Sequence, residues 1–442
     1  MNIQIKNVFF ILLKIILCIM ILTSIECCAL TCIAMIPKEN IQQHINESAD
    51  ILLENEVFFY VDENDKASRI DRYADSILLN IAYSYDEQYP LKSVMLSSYY
   101  YEESQNENHN LETTAKQHLQ PNKDYVRYWH GSNLIVKPLL LLTNINGIYI
   151  INATIIGILL LIVLALLGKH INTPSSICML ASCIAVSLWY VPFSLEYTWN
   201  FVIMLIAVIV AIHMYTHKAT NFIYLFVVIG NLTAFFDFLS TETLTFTVPL
   251  ICILLLNYKN DPSLSKRDYF NTTLRTGMSW LVGYGSAWIA KWSIASVVLQ
   301  TNAFQLALHQ ANTRISGEAS NISPLQQSIN ALTRNIICLF PFNYLKENTF
   351  FIFTITLGII LILYYLFKKR NTIALSTILG LIALIPYIRF LVISNHSYLH
   401  YFFTYRAQLA SVFAFELLII HGIDTTLLKK EWSKLCKHKR KS

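Results

Sequence analysis

Glycine is scarce, with 12 residues in 442. Little backbone is left for phosphate-cradling loops, and neither a Walker A sequence nor Gly-x-Gly-x-x-Gly occurs. His-Glu-x-x-His and Gly-x-Ser-x-Gly are missing too, so zinc-peptidase and nucleophile-elbow chemistry are unsupported. Charge is low: 14% of residues are charged against 55% hydrophobic, a balance that excludes an ordinary soluble domain. The nine cysteines offer no disulfide framework and no paired-cysteine metal site. Seven fall in apolar stretches, Cys338 lies near a membrane boundary, and Cys436 is in the basic tail.

What the chain has is long apolar runs. Ten are expected to span a membrane, at roughly 8–35, 148–168, 175–192, 199–215, 221–238, 243–257, 276–297, 349–367, 372–394 and 400–420. Most approach the ~20 apolar residues that cross ~30 Å of hydrocarbon. Cations occupy alternate gaps: Lys6, Lys169, Lys218, Lys259 to Arg275, Lys368 to Arg370, and the tail from Lys429 to Lys441. By the positive-inside rule both termini are cytoplasmic. Anionic lipid and topology account for this basic excess, which implies no nucleic-acid partner. The first run reads as a retained span rather than a cleaved signal peptide, because it is long, interrupted by Lys14, and lacks an Ala-x-Ala-like site.

The organisation follows: a first span (1–37), an extracytoplasmic α-rich segment (38–135), an interfacial helix with spans two to seven (136–297), a second external loop (298–348), spans eight to ten (349–421) and a basic cytoplasmic tail (422–442). The fold class is an all-α polytopic membrane protein with a large extracytoplasmic first loop. From Lys38 to Gly147 the chain carries about 17 acidic and 9 basic residues. Ile41, Ile45, Ala49 and Leu52 recur at helical spacing, as do Tyr73, Ile77, Leu78 and Ala82. The polar stretch from Glu102 to Asn122 reads as a mobile loop. Leu134–Leu142, broken by Lys137-Pro138, is too short to span and reads as an interfacial or re-entrant helix.

Candidate functional groups gather on the expected outer face. Lys291, Arg389 and Arg406 stand in the outer parts of spans, where a cation needs a partner or a task, and together they point to something negatively charged. Asp71 and Asp75 lie four residues apart, a spacing that suits a divalent metal such as Mg or Mn, a general base, or a plain solvated helix face. Asp86-Glu87 is a further acidic pair, with a surface loop as its simplest reading. Arg127, His130 and Lys137 crowd the point where the chain re-enters the membrane, suited to anchoring or to a lipid headgroup. His396 and His400 join the last two spans, while His309, Gln310 and Arg314 occupy the late loop and Glu196 caps the third and fourth spans. The expected inner connections are too small for an ATP site. Group transfer on the outer face therefore needs a donor activated otherwise, and a lipid phosphate held by these cations fits.

This layout of a long first external loop, an interfacial helix, outer-face acids and later outer-face cations resembles the GT-C superfamily of membrane glycosyltransferases. The strings "RYWHG", "FDFLSTET" and "NHSYLHYFFTYR" also look like those of a group of bacterial polytopic proteins. The resemblance covers nearly the whole chain in architecture. It implies a polyprenyl-phosphate-linked sugar donor, a cell-envelope glycan or protein acceptor, membrane lipids as neighbours, and an essential acid in the first external loop. Asp75 is the first candidate for that acid, Asp71 the second and Asp86–Glu87 the third. Many members carry the acid soon after the first span, whereas here Pro37-Lys38-Glu39 follows it. Arg406, Arg389, Lys291 and Lys137 would stabilise the leaving phosphate, with His396 and His400 positioning it or completing a metal site. Other readings of the same residues are a transporter or flippase, a polymerase or ligase of lipid-linked glycans, and a noncatalytic envelope assembly protein.

Overall fold

α1 (Ile3–Ala34) is apolar around most of its circumference, and among its described side chains only a stripe of Thr23, Glu26, Leu30, Ile33 and Ala34 is buried. An exposed apolar helix is costly in water and ordinary against lipid. The computed structural model describes residues 3–308, 323–345, 348–369, 372–424 and 426–427. His309, Gln310, Arg314, Arg370, the Lys6 side chain and the tail from Lys429 lie outside the described residues. The described chain is nearly all helical, and six of its helices are long and apolar enough to cross a membrane. They are the Phe9–Ala34 part of α1, α7 (Ile145–His170), α9 (Thr198–Thr216), α14 (Thr349–Phe367), α15 (Ile373–Val392) and α17 (Tyr401–Gly422). α8 (Thr173–Ala185), α10 (Ile223–Phe236) and α11 (Leu244–Asn260) are apolar but shorter. α12 (Lys266–Leu299) is long and carries Lys266, Arg267, Asp268, Arg275 and Lys291.

Helix α8 stops early because Ser187 takes a left-handed backbone (φ 50°) and the chain continues as a 3-10 turn over Leu188–Phe193. The expected span at 175–192 is thus a short helix plus a turn. α10 and α12 pack with their backbones nearly touching. A Cβ added at Gly283 would stand 2.0 Å from the Val227 carbonyl oxygen, and one at Gly230 would stand 2.1 Å from that of Trp280. Small residues at such crossings let helices approach closely in an apolar medium.

Residues 38–144 form a cap at one end of this bundle. α2 (Lys38–Leu53) buries Ile41, Ile45, Ala49 and Leu52 against α3 (Arg72–Ser84) and α5 (Glu107–Gln117), the face its spacing predicts. α5 corrects the expectation of a mobile loop. Its apolar content is slight, but Leu111 and Ala115 are buried, Asn106 caps its first turn, and Asn108 donates to the Leu52 carbonyl at 2.7 Å. Hydrogen bonding replaces the apolar stripe that a helix usually needs. α4 (Pro90–Leu96) and α6 (Asn133–Leu139) complete the cap, α6 being the short helix expected before the second span. A small antiparallel hairpin, β1 (Phe58–Tyr60) with β2 (Arg69–Asp71), sets Phe58 opposite Asp71.

The basic connections meet at the far end. Lys259 donates to the carbonyls of His170 (2.7 Å) and Ile171 (3.1 Å), Asn260 donates to the Tyr215 hydroxyl at 3.0 Å, and Lys368 bridges to Ile423. The connections around Glu196, Asp237 and His396 gather at the cap end instead.

Candidate active site

Hairpin and helix meet at Asp71. The residue ends β2 and caps α3, its Oδ1 accepting the Ala74 N–H at 3.0 Å, which is why the strand turns into a helix there. Two residues earlier on the strand, and so on the same face, is Arg69. Its guanidinium lies 4.6 Å from the Phe58 ring and 4.6 Å from the Phe402 ring of α17, and it forms no hydrogen bond among the described residues.

These groups border a cavity of about 430 Å³ where the cap rests on the bundle. Tyr125, Arg127 and His130 form a second wall, and Glu196, Phe238, His396, His400 and Phe403 close the bundle side. Burial raises the Asp71 carboxyl to about 6, against the Ala74 hydrogen bond and the Arg69 charge, which both pull it down. His130 has the opposite shift. Burial, with the positive Lys291 nearby, lowers it to about 3, so its ring is neutral at ordinary pH. The Nδ1 of His130 and the Nε of Arg127 are buried without a hydrogen-bond partner among the described residues. The His396 and His400 rings are 4.7 Å apart.

Asp75 is one turn further along α3 and does not line the cavity. It is fully buried, accepting from the Tyr149 hydroxyl of α7 at 2.5 Å and from the Leu195 N–H at 2.7 Å. Burial raises it to about 8, with both hydrogen bonds opposing. One carboxyl therefore ties the cap helix to the bundle and fixes the residue that precedes Glu196.

The other expected residues lie apart. Arg406 is fully buried; it donates to the Phe402 carbonyl at 2.8 Å and the Ala67 carbonyl at 3.4 Å, and it rests between the Tyr197 and Tyr405 rings. Arg389 pairs with Glu242 at 2.9 Å, both nearly buried, and also reaches the Ser397 hydroxyl and the Leu239 carbonyl. Lys291 caps the end of α4 through the carbonyls of Val94 (3.0 Å) and Met95 (3.2 Å), 5.6 Å from the Trp129 ring. Lys137 is buried 5.2 Å from the Tyr85 ring, which lowers its amine to about 8. Asp86 and Glu87 border a separate cavity of about 590 Å³ on the cap, where Asp86 accepts the Gln88 N–H of its own turn. The structure thus gathers Asp71, Arg127, His130, His396 and His400, sets Asp75 behind their wall, and separates the remainder.

Arg69 and Phe58 are the residues that the sequence reading missed. A signal was present: Val57–Val61 is a run of aromatic and β-branched residues, followed by the turn-forming Asp62–Asp65 and then Arg69-Ile70-Asp71. Metal ligands are represented in the cavity by Asp71, Glu196 and the three histidines, although among the described residues no three His, Cys, Asp or Glu side chains come together as a metal would need. Chemically, the cavity offers a carboxylate of raised basicity, two guanidiniums suited to an anionic group, and aromatic walls. No family model matches the chain, and neither does any curated protein or solved structure.

Proposed function

We propose that the protein is a membrane glycosyltransferase of the GT-C kind, moving a sugar from a polyprenyl-phosphate donor to a cell-envelope acceptor in the Asp71 cavity. The observation that carries this reading is the meeting of one basic carboxylate with Arg69 and Arg127 in an aromatic-walled cavity. Asp71 takes the proton of the acceptor hydroxyl as its oxygen attacks the anomeric carbon. The bond from that carbon to the phosphate oxygen breaks, and the electron pair leaves with the phosphate. Arg69 and Arg127 stabilise the charge that develops there. Asp75, Tyr149 and Leu195 keep the cap seated while this happens. Ten crossings, with the cap on the extracytoplasmic side, agree with the cations gathered at the opposite end.

The test is incubation of membranes containing the protein with radiolabelled polyprenyl-phosphate sugars and envelope acceptors. Acceptor-borne label above that of membranes lacking the protein is expected, and its absence across donors and acceptors contradicts the reading. A second reading, transport, is favoured by two acids within apolar helices: Glu26, 2.8 Å from the Asn231 amide, and Glu416, accepting from Ser182 at 2.9 Å. Uptake or flipping that depends on Glu26 and Glu416 and is indifferent to Asp71 would select it.

A further inference from the structure

The turn that follows α10 is gripped from both sides. Inside it, the Asp237 carboxylate accepts from the N–H groups of Leu239 (2.8 Å) and Ser240 (2.9 Å), the Ser240 hydroxyl (2.6 Å) and the Asn200 amide (2.6 Å). Outside it, Arg389 of α15 donates to the carbonyls of Leu239 and Ser240, the second at 3.4 Å. Leu239 between them has a left-handed backbone (φ 67°), which a residue with a Cβ keeps only where its surroundings hold it. The side chain this turn contributes to the Asp71 cavity is Phe238, its ring 5.1 Å from His130 and 5.0 Å from Tyr128. Arg389 has a further arm. While Nε and Nη2 meet the Glu242 carboxylate (2.9 and 3.3 Å), Nη1 donates to the Ser397 hydroxyl at 3.1 Å. Ser397 belongs to the short helix Ser394–Leu399, whose His396 borders the same cavity. Arg389 itself stands behind that wall and does not border the cavity.

We propose that Arg389 is a positioning residue of the Asp71 cavity: one guanidinium behind the wall fixes the spacing of Phe238 and His396, and so sets the width of the bundle side and the size of sugar it admits. What the cavity holds rests on the glycosyl-transfer reading, whereas the lock between the two walls does not. A planar fork suits the task because its arms reach Glu242, the turn and Ser397 at once, which an ammonium on a flexible stem does not reproduce. An ion pair serving stability alone would end at Glu242. The turn needs the lock, since a released Leu239 relaxes and carries Phe238 with it.

The experiment follows acylation of single histidines by diethyl pyrocarbonate, mapped by mass spectrometry on the full chain in phosphatidylcholine nanodiscs. His130 and His396 are 1% and 3% exposed, so their reaction reports opening of the two walls. His44 of α2, bonded to the Leu140 carbonyl at 2.8 Å, is the reference. Ser397→Ala removes only the third arm. It should speed His396 acylation about 3- to 10-fold, the factor one lost hydrogen bond is worth, with His130 and His44 at the parent rate. Arg389→Lys keeps a charge beside Glu242 and should speed both His130 and His396, again leaving His44 unchanged. Equal acceleration of all three is general loosening and overturns the proposal, as does an unchanged His396 in Ser397→Ala, which decides alone where Arg389→Lys does not fold. In the transfer assay Ser397→Ala should raise the KM for the sugar donor and keep the inflection near pH 6 that belongs to Asp71; a parent-like KM beside faster His396 acylation rejects the claim on sugar fit. The two readings fail separately. Acylation shifts without transfer by the parent leave the lock and remove the transferase, whereas transfer with parent-like acylation in both variants does the reverse.

Discussion

Asp71 and Asp75 are four residues apart and have different surroundings because the helix begins between them. At i, i+4 inside a helix two carboxylates share a face. Asp71, however, is the cap, with extended backbone (φ −108°, ψ 94°), so its side chain leaves the chain at another angle. The sequence pointed to this pair and ranked Asp75 first; spacing alone does not reveal where the helix starts, and so not that Asp71 lines the cavity while Asp75 lies behind it. Burial of Asp75 has a measurable consequence. Its carboxyl binds a proton more tightly in the folded protein, near 8, than at the ordinary value of 3.8. Between those values the folded state holds the extra proton, so stability is highest at the acidic end, falls as pH rises through the window, and levels off above about 8. Asp75→Asn should flatten that slope, read as thermal midpoint against pH in detergent; parallel slopes in parent and variant would show that Asp75 is not the group concerned. Arg389 is the second residue-scale case. Pairing with a nearby acid such as Glu242 follows from a cation in an apolar span and is what the structure contains. Arg389→Ala strands the Glu242 charge and should cost roughly 3–5 kcal/mol, while Arg389→Met with Glu242→Leu should recover most of the loss. Unfolding measurements in which the double variant is no better than the single one would reject that pairing as the cause.

Helices with a regular apolar stripe were legible at the scale of the element. The buried side of α2 falls at Ile41, Ile45, Ala49 and Leu52, as the periodicity requires. Less legible were elements held by other means. α5 is fixed by buried amides, and the β1–β2 hairpin is too short to show clear alternation. Missing that hairpin hid Arg69, and with it one wall of the site. Helix crossings carry their own test. Gly283→Ala places a methyl against the Val227 carbonyl, which forces α10 and α12 apart and should cost roughly 1–3 kcal/mol. Gly285→Ala, two residues along, meets nothing within 4 Å and serves as the control. Equal thermal shifts in the two variants would argue against the close crossing.

For the whole molecule, alternation of charge was the most informative signal, because it depends on composition rather than on contacts. It divides the connections into a basic set and an acidic set without any knowledge of packing. The cavity between cap and bundle was beyond reach, since its walls come from segments more than 300 residues apart, Phe58 and Phe402 among them. A reporter inserted in the 105–120 stretch should read extracytoplasmic and one after Lys259 cytoplasmic. The same compartment for both, or the reverse assignment, would place the Asp71 cavity on the wrong side for an envelope acceptor.

The most direct measurement is the rate of sugar transfer from a polyprenyl-phosphate donor, compared between the parent, Asp71→Asn and Asp75→Asn at equal membrane abundance. Loss of the base in Asp71→Asn should lower the rate by about 10²-fold or more, and the parent rate should rise through pH 6 as the Asp71 carboxyl ionises. Asp75→Asn, altered only in how the cap is held, should lose less and keep the inflection near pH 6. A parent-like rate in Asp71→Asn, or a pH inflection that survives its removal, would contradict the assignment of this cavity as the site of transfer.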